Sequence, residues 1–439
     1  MTIQKFAGLS AVFFLVCSSV FGEDLTKPLA NPEDWSIHFQ ATTVTQQHGY
    51  FNSPYSGINS FSPYPENKTS LTSTLFLGRK LWQNGEFYLD PELSGGQGLS
   101  STHGIAGFPN GEIYRVDSTD PKGSIARAFF KQVFGLGGTR ENIKPDQNQL
   151  CSEVDKNRIT LVCGKFSLND YFDNNSYSHD PRTQFLNLAL MDNGAWDYAA
   201  DTRGYTWGFM LEYNRENYAV RVASVLEPKE ANQMDLDLNI PQAHGDNAEF
   251  EYRYSLSSHP GKVRVLAYAN HAQMGNYGDA LKILPAPDIT QTRSYCVKYG
   301  FGLNIEQEIT KALGSFLRAG WNDGATESWA FTEIDRTLTL GLCLNGSSWK
   351  RPDDTVGVAV IVNGLSPDHR DYLAAGGYGF IIGDGKLNYA FEEIAETFYS
   401  WKIFRQFAVT GDFQFVNNPA YNQDRGPVEI FAVRLHYEL

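Results

Sequence analysis

Residues 295–306 read YCVKYGFGLNIE, and their spacing decides the architecture. Tyr295, Val297, Tyr299, Phe301, Leu303 and Ile305 alternate with Lys298, Gly300, Gly302, Asn304 and Glu306. Successive side chains of an extended strand point to opposite faces, so this segment has one apolar side and one polar side. The pattern recurs in both directions along the chain, broken by Gly, Asn, Asp and Pro. Phe250, Tyr252, Tyr254 and Leu256 oppose Glu249, Glu251, Arg253 and Ser255. Tyr205, Trp207, Phe209, Leu211 and Tyr213 oppose Thr206, Gly208, Met210, Glu212 and Asn214. Phe87, Leu89, Pro91 and Leu93 oppose Glu86, Tyr88, Asp90 and Glu92.

A soluble β-sandwich also alternates, but its apolar face is built of interdigitating Val, Ile and Leu. Here the apolar faces carry Tyr, Phe and Trp near the strand ends, as in the aromatic girdles of an outer-membrane barrel with a polar lumen. The chain ends in the same way, with Phe431, Val433, Leu435, Tyr437 and Leu439 alternating with Ala432, Arg434, His436 and Glu438. Such barrels finish on a strand closing with an aromatic or large apolar residue, and Leu439 stands where Phe is usual. The fold class read from this pattern is all-β, a transmembrane antiparallel β-barrel.

Candidate strands begin near Trp35, Leu71, Glu86, Ser124, Ile159, Tyr205, Ala219, Glu249, Lys262, Tyr295, Gly314, Arg336, Asp354, Ala374, Ala395, Phe407 and Val428. Single-chain bacterial barrels normally have an even number of strands, so one of these segments is false or one strand is missing. Sixteen strands are expected, with 18 as the alternative.

The chain has 439 residues, with 36 Lys+Arg against 50 Asp+Glu and a net charge of −14. This acidity argues against a nucleic-acid partner, which calls for a basic face. With 14% aromatic and 20% charged residues, the composition also excludes disorder. The apolar run from Phe6 to Phe21, ended by Gly22 before Glu23, reads as a secretory signal peptide over residues 1–22. A retained anchor is the lesser reading, since a span needs roughly 18–20 apolar residues. Phe14, Leu15 and Val16 before Cys17 argue against a lipoprotein. Residues 23–439 are then one outer-membrane barrel domain, too short for a large barrel with a separate plug.

Of the remaining cysteines, Cys151, Cys163, Cys296 and Cys343, the first two are close in sequence and are expected to form a disulfide after export. No metal, redox, acyl-transfer or nucleotide-binding signature occurs, so neither metal nor cofactor is expected, and the chain is read as no enzyme. The alternatives are a barrel carrying a hydrolase site and an adhesin-type barrel. Ser178, His179 and Asp180 are adjacent, and His271, His369 and His436 are available, but neighbouring residues make a poor catalytic relay, whose members usually come from separate segments.

Three long connections interrupt the strands. Asp170 to Arg203 is rich in groups that hydrogen-bond hydroxyls and is expected to fold into the lumen and narrow it, since a loop of this length is usually functional. Gly98 to Asp117 is a second candidate for the same role. A third, Gly275 to Ser294, contains a short helical pattern at Asp279 to Leu284.

Several blocks then resemble one family, the carbohydrate-selective porins of the OprB type. They include FNSPYSGINSF at 51–61, LFLGRKLWQNGEFYLDPELSGG at 75–96, GIAGFPNGEIYR at 104–115, the stretch from Gly164 to Gly208, AGWNDGATESWAFTEIDRTLTLG at 319–341, residues 351–377, and NPAYNQDRGPVEIFAVRLH at 418–436. The resemblance implies a 16-stranded barrel in the bacterial outer membrane that passes neutral sugars such as monosaccharides by diffusion. It also implies association with further porin-like subunits, for which a homotrimer is the expected form.

Alternation places Glu86, Asp90, Glu92, Arg127, Lys131, Lys165, Arg253, Arg264, Lys298, Arg318, Asp335, Asp412 and Arg434 on the lumen side. The inward loop adds Asp180, Arg182, Asp201 and Arg203, expected to face Arg127, Lys165 and Glu92. Carboxylates accept from sugar hydroxyls and guanidinium groups donate to them, so a lumen of mixed sign suits sugars, whereas a single sign selects ions. For any one of these charges the plainer reading is a salt bridge across the wall. Arginine at Tyr299 or Val297 is expected to be costly, and changes at Lys298 or Asn304 to be tolerated.

Overall fold

The computed structural model describes residues 34–113 and 119–439, so the expected signal peptide lies outside the described residues. Among these residues eighteen strands follow in chain order. The first nine are β1 (Trp35–His48), β2 (Glu66–Trp82), β3 (Gly85–Gly96), β4 (Lys122–Gly135), β5 (Arg140–Ile143), β6 (Ser152–Asp155), β7 (Arg158–Phe166), β8 (Thr206–Asn214) and β9 (Tyr218–Val225). The remainder are β10 (His244–Leu256), β11 (His259–Met274), β12 (Ser294–Glu308), β13 (Leu313–Asn322), β14 (Arg336–Gly346), β15 (Arg351–Gly364), β16 (Glu392–Phe404), β17 (Phe407–Asn417) and β18 (Val428–Glu438). Sixteen of them, each two-faced along its length, close into one antiparallel barrel, while β5 and β6 pair only with each other between β4 and β7.

Closure is made by β1 against β18, from Gln40 opposite Glu438 to His48 opposite Ile430. Every barrel strand is thereby paired on both sides, which leaves no sheet edge to face hydrocarbon. Among the described residues no helix is long and apolar enough to cross a membrane. The outer wall is the apolar face read from the sequence: Phe301, Val358 and Val433 are each about half exposed in the isolated chain. On the opposite face Lys298, Arg318 and Arg434 are fully buried.

The connections separate by length. Residues 83–84, 257–258 and 405–406 are tight turns at one end, and the described part of loop 97–121 and loops 167–205, 226–243, 275–293 and 365–391 crowd the other. Short turns face the periplasm and long loops the exterior in such barrels. Segment 136–157, with the β5–β6 hairpin, is the exception, a long insertion on the short-turn side.

Three expectations are corrected. Helices α1 (Leu188–Met191) and α2 (Tyr277–Ala280) are single turns, and α2 starts before the expected 279–284 because Asn276 caps it through the Asp279 N–H. The segment near Ala374 is no strand: Pro367–Ala374 is a helix, α3, started by Ser366, whose side chain accepts from the His369 N–H. The apolar residues that follow, Ile381 and Ile382, are buried among the loops rather than facing lipid. The Cys151–Cys163 disulfide is not formed, and all four described cysteines are free thiols. Cys163 is exposed on the outer face of β7, whereas Leu150, next to Cys151, is held inside the barrel by its N–H on the Tyr88 hydroxyl.

Candidate functional site

Loop 167–205 folds into the barrel, where Phe185, Leu186, Leu190, Trp196 and Tyr198 are almost completely buried. The strands that hold it are those whose lumen faces carry polar groups. From β13, the Arg318 guanidinium lies 2.7 Å from Asp173 and donates to the carbonyls of Ser178 at 2.6 Å and Leu190 at 2.9 Å. Glu396 of β16 accepts the backbone N–H groups of Leu186 and Asn187 at 2.6 and 3.0 Å. Arg434 of β18 donates to the carbonyls of Pro181 and Gln184, both at 2.7 Å. Asn304 of β12 donates to the Asp173 carbonyl at 2.8 Å, and Tyr268 of β11 to that of Ala195 at 2.7 Å.

Gly302 of the opening stretch and Gly320 beside it serve the same approach. A Cβ at Gly302 would lie 2.9 Å from Asn193 Nδ2, and one at Gly320 on the next strand would collide with Asn193 Oδ1. Only a hydrogen at these positions lets the loop lie flat against the wall.

The described part of loop 97–121 is inside as well. Its Ala106 and Gly107 N–H groups donate to Glu392 at 2.9 and 2.8 Å, and its Phe108 carbonyl accepts from the Leu188 N–H at 3.1 Å. A third loop joins them: Asp197 accepts the N–H groups of Trp329 and Phe331 at 2.7 and 2.8 Å, with Lys298 Nζ 3.9 Å away. The lumen on the long-loop side is thus occupied by several loops bonded to one another.

The candidate charges divide into two groups. Lys298 and Arg318 hold the loop and do not line open space, so Lys298 and Asn304 are not the tolerant positions expected: both are buried and bonded. Asp90 is fully buried beside Arg127 at 3.6 Å. Glu92 accepts from Thr74 at 3.0 Å and from the Tyr205 hydroxyl at 3.1 Å. Tyr205 therefore belongs to the interior, not to the lipid face assigned from alternation. Lys165 faces Asp201 at 3.7 Å, and Asp201 accepts the Arg203 N–H at 2.9 Å. Arg182 reaches Glu92 at 3.8 Å and Glu112 at 2.8 Å. Arg127 clasps Asp170 at 2.7 Å rather than Asp180, which accepts from the Arg182 N–H and Thr183 within its own turn. Asp335 pairs with His369 at 3.0 Å, and Asp412 lies 3.3 Å from Gln414 Nε2.

Glu86, Arg127, Lys131, Arg182, Arg253 and Arg264 lie on the wall of an open cavity of about 590 Å³. It is bounded by β3, β4 and β7 to β11, by the start of loop 167–205, and by residues Ile143 and Gln147 to Gln149 of the hairpin segment. The wall is a ladder of alternating charge across adjacent strands. Arg221 bridges Glu212 and Glu249, both at 2.7 Å, and Arg264 bridges Glu251 at 2.8 Å and Glu306 at 3.2 Å. Phe129 and Tyr171 add aromatic surface to the same cavity. The hairpin segment is tied into the barrel by Asn148 donating to Asp90 at 2.8 Å and the Leu150 N–H donating to Tyr88 at 2.9 Å.

Sequence reasoning missed Arg221, Glu112, Glu392 and Glu396 of β16 and the hairpin, and it placed Glu212 on a polar face without naming it as a lumen charge. Arg221 and Glu396 each sit among apolar neighbours on the inner face of their strands, Ala219 and Ala223 beside Arg221 and Ile394 and Phe398 beside Glu396, so alternation of polarity does not single them out. Glu112 lies in a loop, where alternation has nothing to say.

In the loop, burial works against the charge of Arg182, but Glu112, Asp180 and Glu92 outweigh it and hold the guanidinium protonated. Burial also opposes ionisation of Asp180, and Arg182 overcomes it, so that carboxyl stays below its ordinary range. Asp192 is the opposite case: burial, reinforced by the nearby Asp173 carboxylate, pushes it up to about 7. Ser178, His179 and Asp180 form no relay, because the Ser178 hydroxyl is bonded to the Leu190 carbonyl.

The profile of the carbohydrate-selective porin, OprB family, matches residues 68–439. The chain belongs to that family. The solved structure of OprB from Pseudomonas putida at high pH has 16% identity and a TM-score of 0.69, with 92% of this chain and 94% of that one covered. The outer-membrane channel DcaP of Acinetobacter baumannii has 8% identity and a TM-score of 0.52, over 94% and 99% of the two chains. At these identities the likeness concerns the barrel fold. Comparison with curated proteins gives no match. This porin is an outer-membrane channel whose lumen holds both the inward loop and the charged cavity beside it.

Proposed function

We propose that this porin passes small neutral sugars, monosaccharides foremost, and that the cavity of about 590 Å³ between the inward loop and the hairpin is where they are held in passage. The observation that carries the reading is the combination, in one water-accessible space, of paired charges of both signs with the rings of Phe129 and Tyr171 in its wall. Hydroxyls of a sugar can donate to Glu86 or Glu251 and accept from Arg127 or Arg253, while its C–H faces lie on the rings. Because the wall charges are already paired, as Lys131 is with Glu86 at 3.1 Å, the lumen presents donors and acceptors without a strong net field for ions. Glu86, Arg127, Lys131, Arg182, Arg253 and Arg264 are the proposed contact residues. Asp90, Glu92, Lys165, Asp180, Asp201, Arg203, Lys298 and Arg318 act behind them, by holding the loop and the wall. Homotrimeric assembly is proposed from family membership and is tested by cross-linking in the membrane.

The test is osmotic swelling of liposomes that hold the purified porin. Swelling should be fast with monosaccharides, slower with disaccharides and slower still with trisaccharides, and equal-sized charged solutes should lag behind neutral sugars. Equal rates for sugars and for anionic solutes of the same size would remove the assignment of the cavity to sugars.

A further inference from the structure

His244, Asp246 and His271 stand together at the extracellular ends of β10 and β11, away from the lumen. His244 and Asp246 are two residues apart on one strand and share its outer face, and His271 is directly opposite His244 in the register. The residues between them on the other face, Gly245, Asn247 and Asn270, are buried toward the lumen. The two imidazoles stack with centroids 4.3 Å apart and planes 13° from parallel. His244 Nε2 lies 3.5 Å from Asp246 Oδ2, and the potential ligand atoms of all three residues are within 4.8 Å of one another.

The hydrogen bonding of His244 makes this arrangement informative. Its Nδ1 is 2.8 Å from the Ile240 carbonyl, which can only accept, so Nδ1 carries the proton. In the neutral ring Nε2 is then a bare lone pair facing a carboxylate oxygen, with a second imidazole stacked on it. A metal ion at this point would take the lone pair of Nε2 and balance the charge of the carboxylate beside it. The Ile240 carbonyl then plays the outer-shell part, fixing the tautomer that directs Nε2 at the ion.

We propose that His244, Asp246 and His271 bind a divalent first-row transition ion of the zinc class on the outer rim of the barrel. Two nitrogens and one carboxylate oxygen suit that class, and ligand atoms about 2.1 Å from one tetrahedral ion stand about 3.4 Å apart, so the two rings must splay from their parallel stack to bring both lone pairs to one ion. Three protein ligands leave the fourth position to water. The ion clamps β10 to β11 and, through Ile240, fixes the end of loop 226–243. No sequence motif announces the site, because its ligands come from two strands and meet only through their register.

The test uses the full-length porin without a histidine tag, in detergent, stripped of metal and titrated with Zn²⁺ by calorimetry. One ion per chain is expected, with affinity falling at least tenfold in H271A and in H244A, and by less in D246N. Co²⁺ should give a visible absorption band in the wild type that H271A lacks. The variant H259A, altered at the opposite end of the barrel, should keep both signals. Heat-dependent gel migration establishes that each variant remains a barrel, and because the ligands face outward, sugar-driven swelling should be unchanged in all of them. Undiminished Zn²⁺ affinity in the H244A/H271A double variant, or a wild type that takes up no Zn²⁺ at millimolar concentration, overturns the proposal.

Discussion

Replacing Arg318 with Met keeps most of the volume of the side chain and removes the guanidinium that fastens loop 167–205 to β13. That group is fully buried and holds the Asp173 carboxylate at 2.7 Å and the Ser178 and Leu190 carbonyls at 2.6 and 2.9 Å. Removing one partner of a buried ion pair costs about 3–5 kcal/mol, because the other charge is left without compensation. With about 1.4 kcal/mol per tenfold change, the population of chains with a released loop should rise by roughly two to four orders of magnitude. Barrel pairing does not involve this side chain, so R318M should still fold and insert. Single-channel recording in planar bilayers should show larger and noisier conductance steps than wild type, and limited proteolysis should cut within 173–190. A folded R318M with wild-type conductance, noise and protease resistance would refute the idea that Arg318 restrains the loop.

Three further outcomes follow from the same geometry. Val433 lies midway along β18 and is half exposed on the outer wall, so V433R should lower folding stability in lipid by about 2–4 kcal/mol in a denaturant titration; no change would reverse the face assignment. Asp192 is held near 7, well above the usual carboxyl value of about 3.9, so the inward loop favours its protonated form and loses stability as pH rises from about 4 to 7. D192N should therefore raise the melting temperature over wild type at pH 8 and leave it unchanged near pH 4, and an equal effect at both values would exclude ionisation as the cause. Replacing residues 139–156 with a two-residue turn should open the short-turn end and raise conductance, whereas unchanged conductance would place the hairpin outside the path.

The strands were legible because a two-faced strand writes its burial into the sequence at period two. Every barrel strand corresponds to one of the segments expected from alternation, and the false one near Ala374 shows the limit of the signal. Ile381 and Ile382 are apolar because loops fill the lumen, and a buried loop draws on the same residues as a lipid-facing strand. The hairpin escaped notice because β5 and β6 are four residues each and neither alternates. Lumen charges could be identified as a set, but their partners could not. Whether Arg127 meets Asp170 or Asp180 depends on how the loop turns inside the barrel, and Lys298 and Asn304 become intolerant positions only once that loop rests on them.

We propose that loop 167–205, lodged in the lumen, sets the size limit for sugars. It is tested most directly by comparing wild type with a variant in which residues 175–200 are replaced by a short Gly-Ser linker, using single-channel conductance and liposome swelling on one series of sugars from mono- to trisaccharide. The variant should fold, conduct more and admit the larger sugars with little loss of rate. A variant that folds yet keeps the conductance and the size limit of the wild type would contradict the account and move the constriction to loop 97–121.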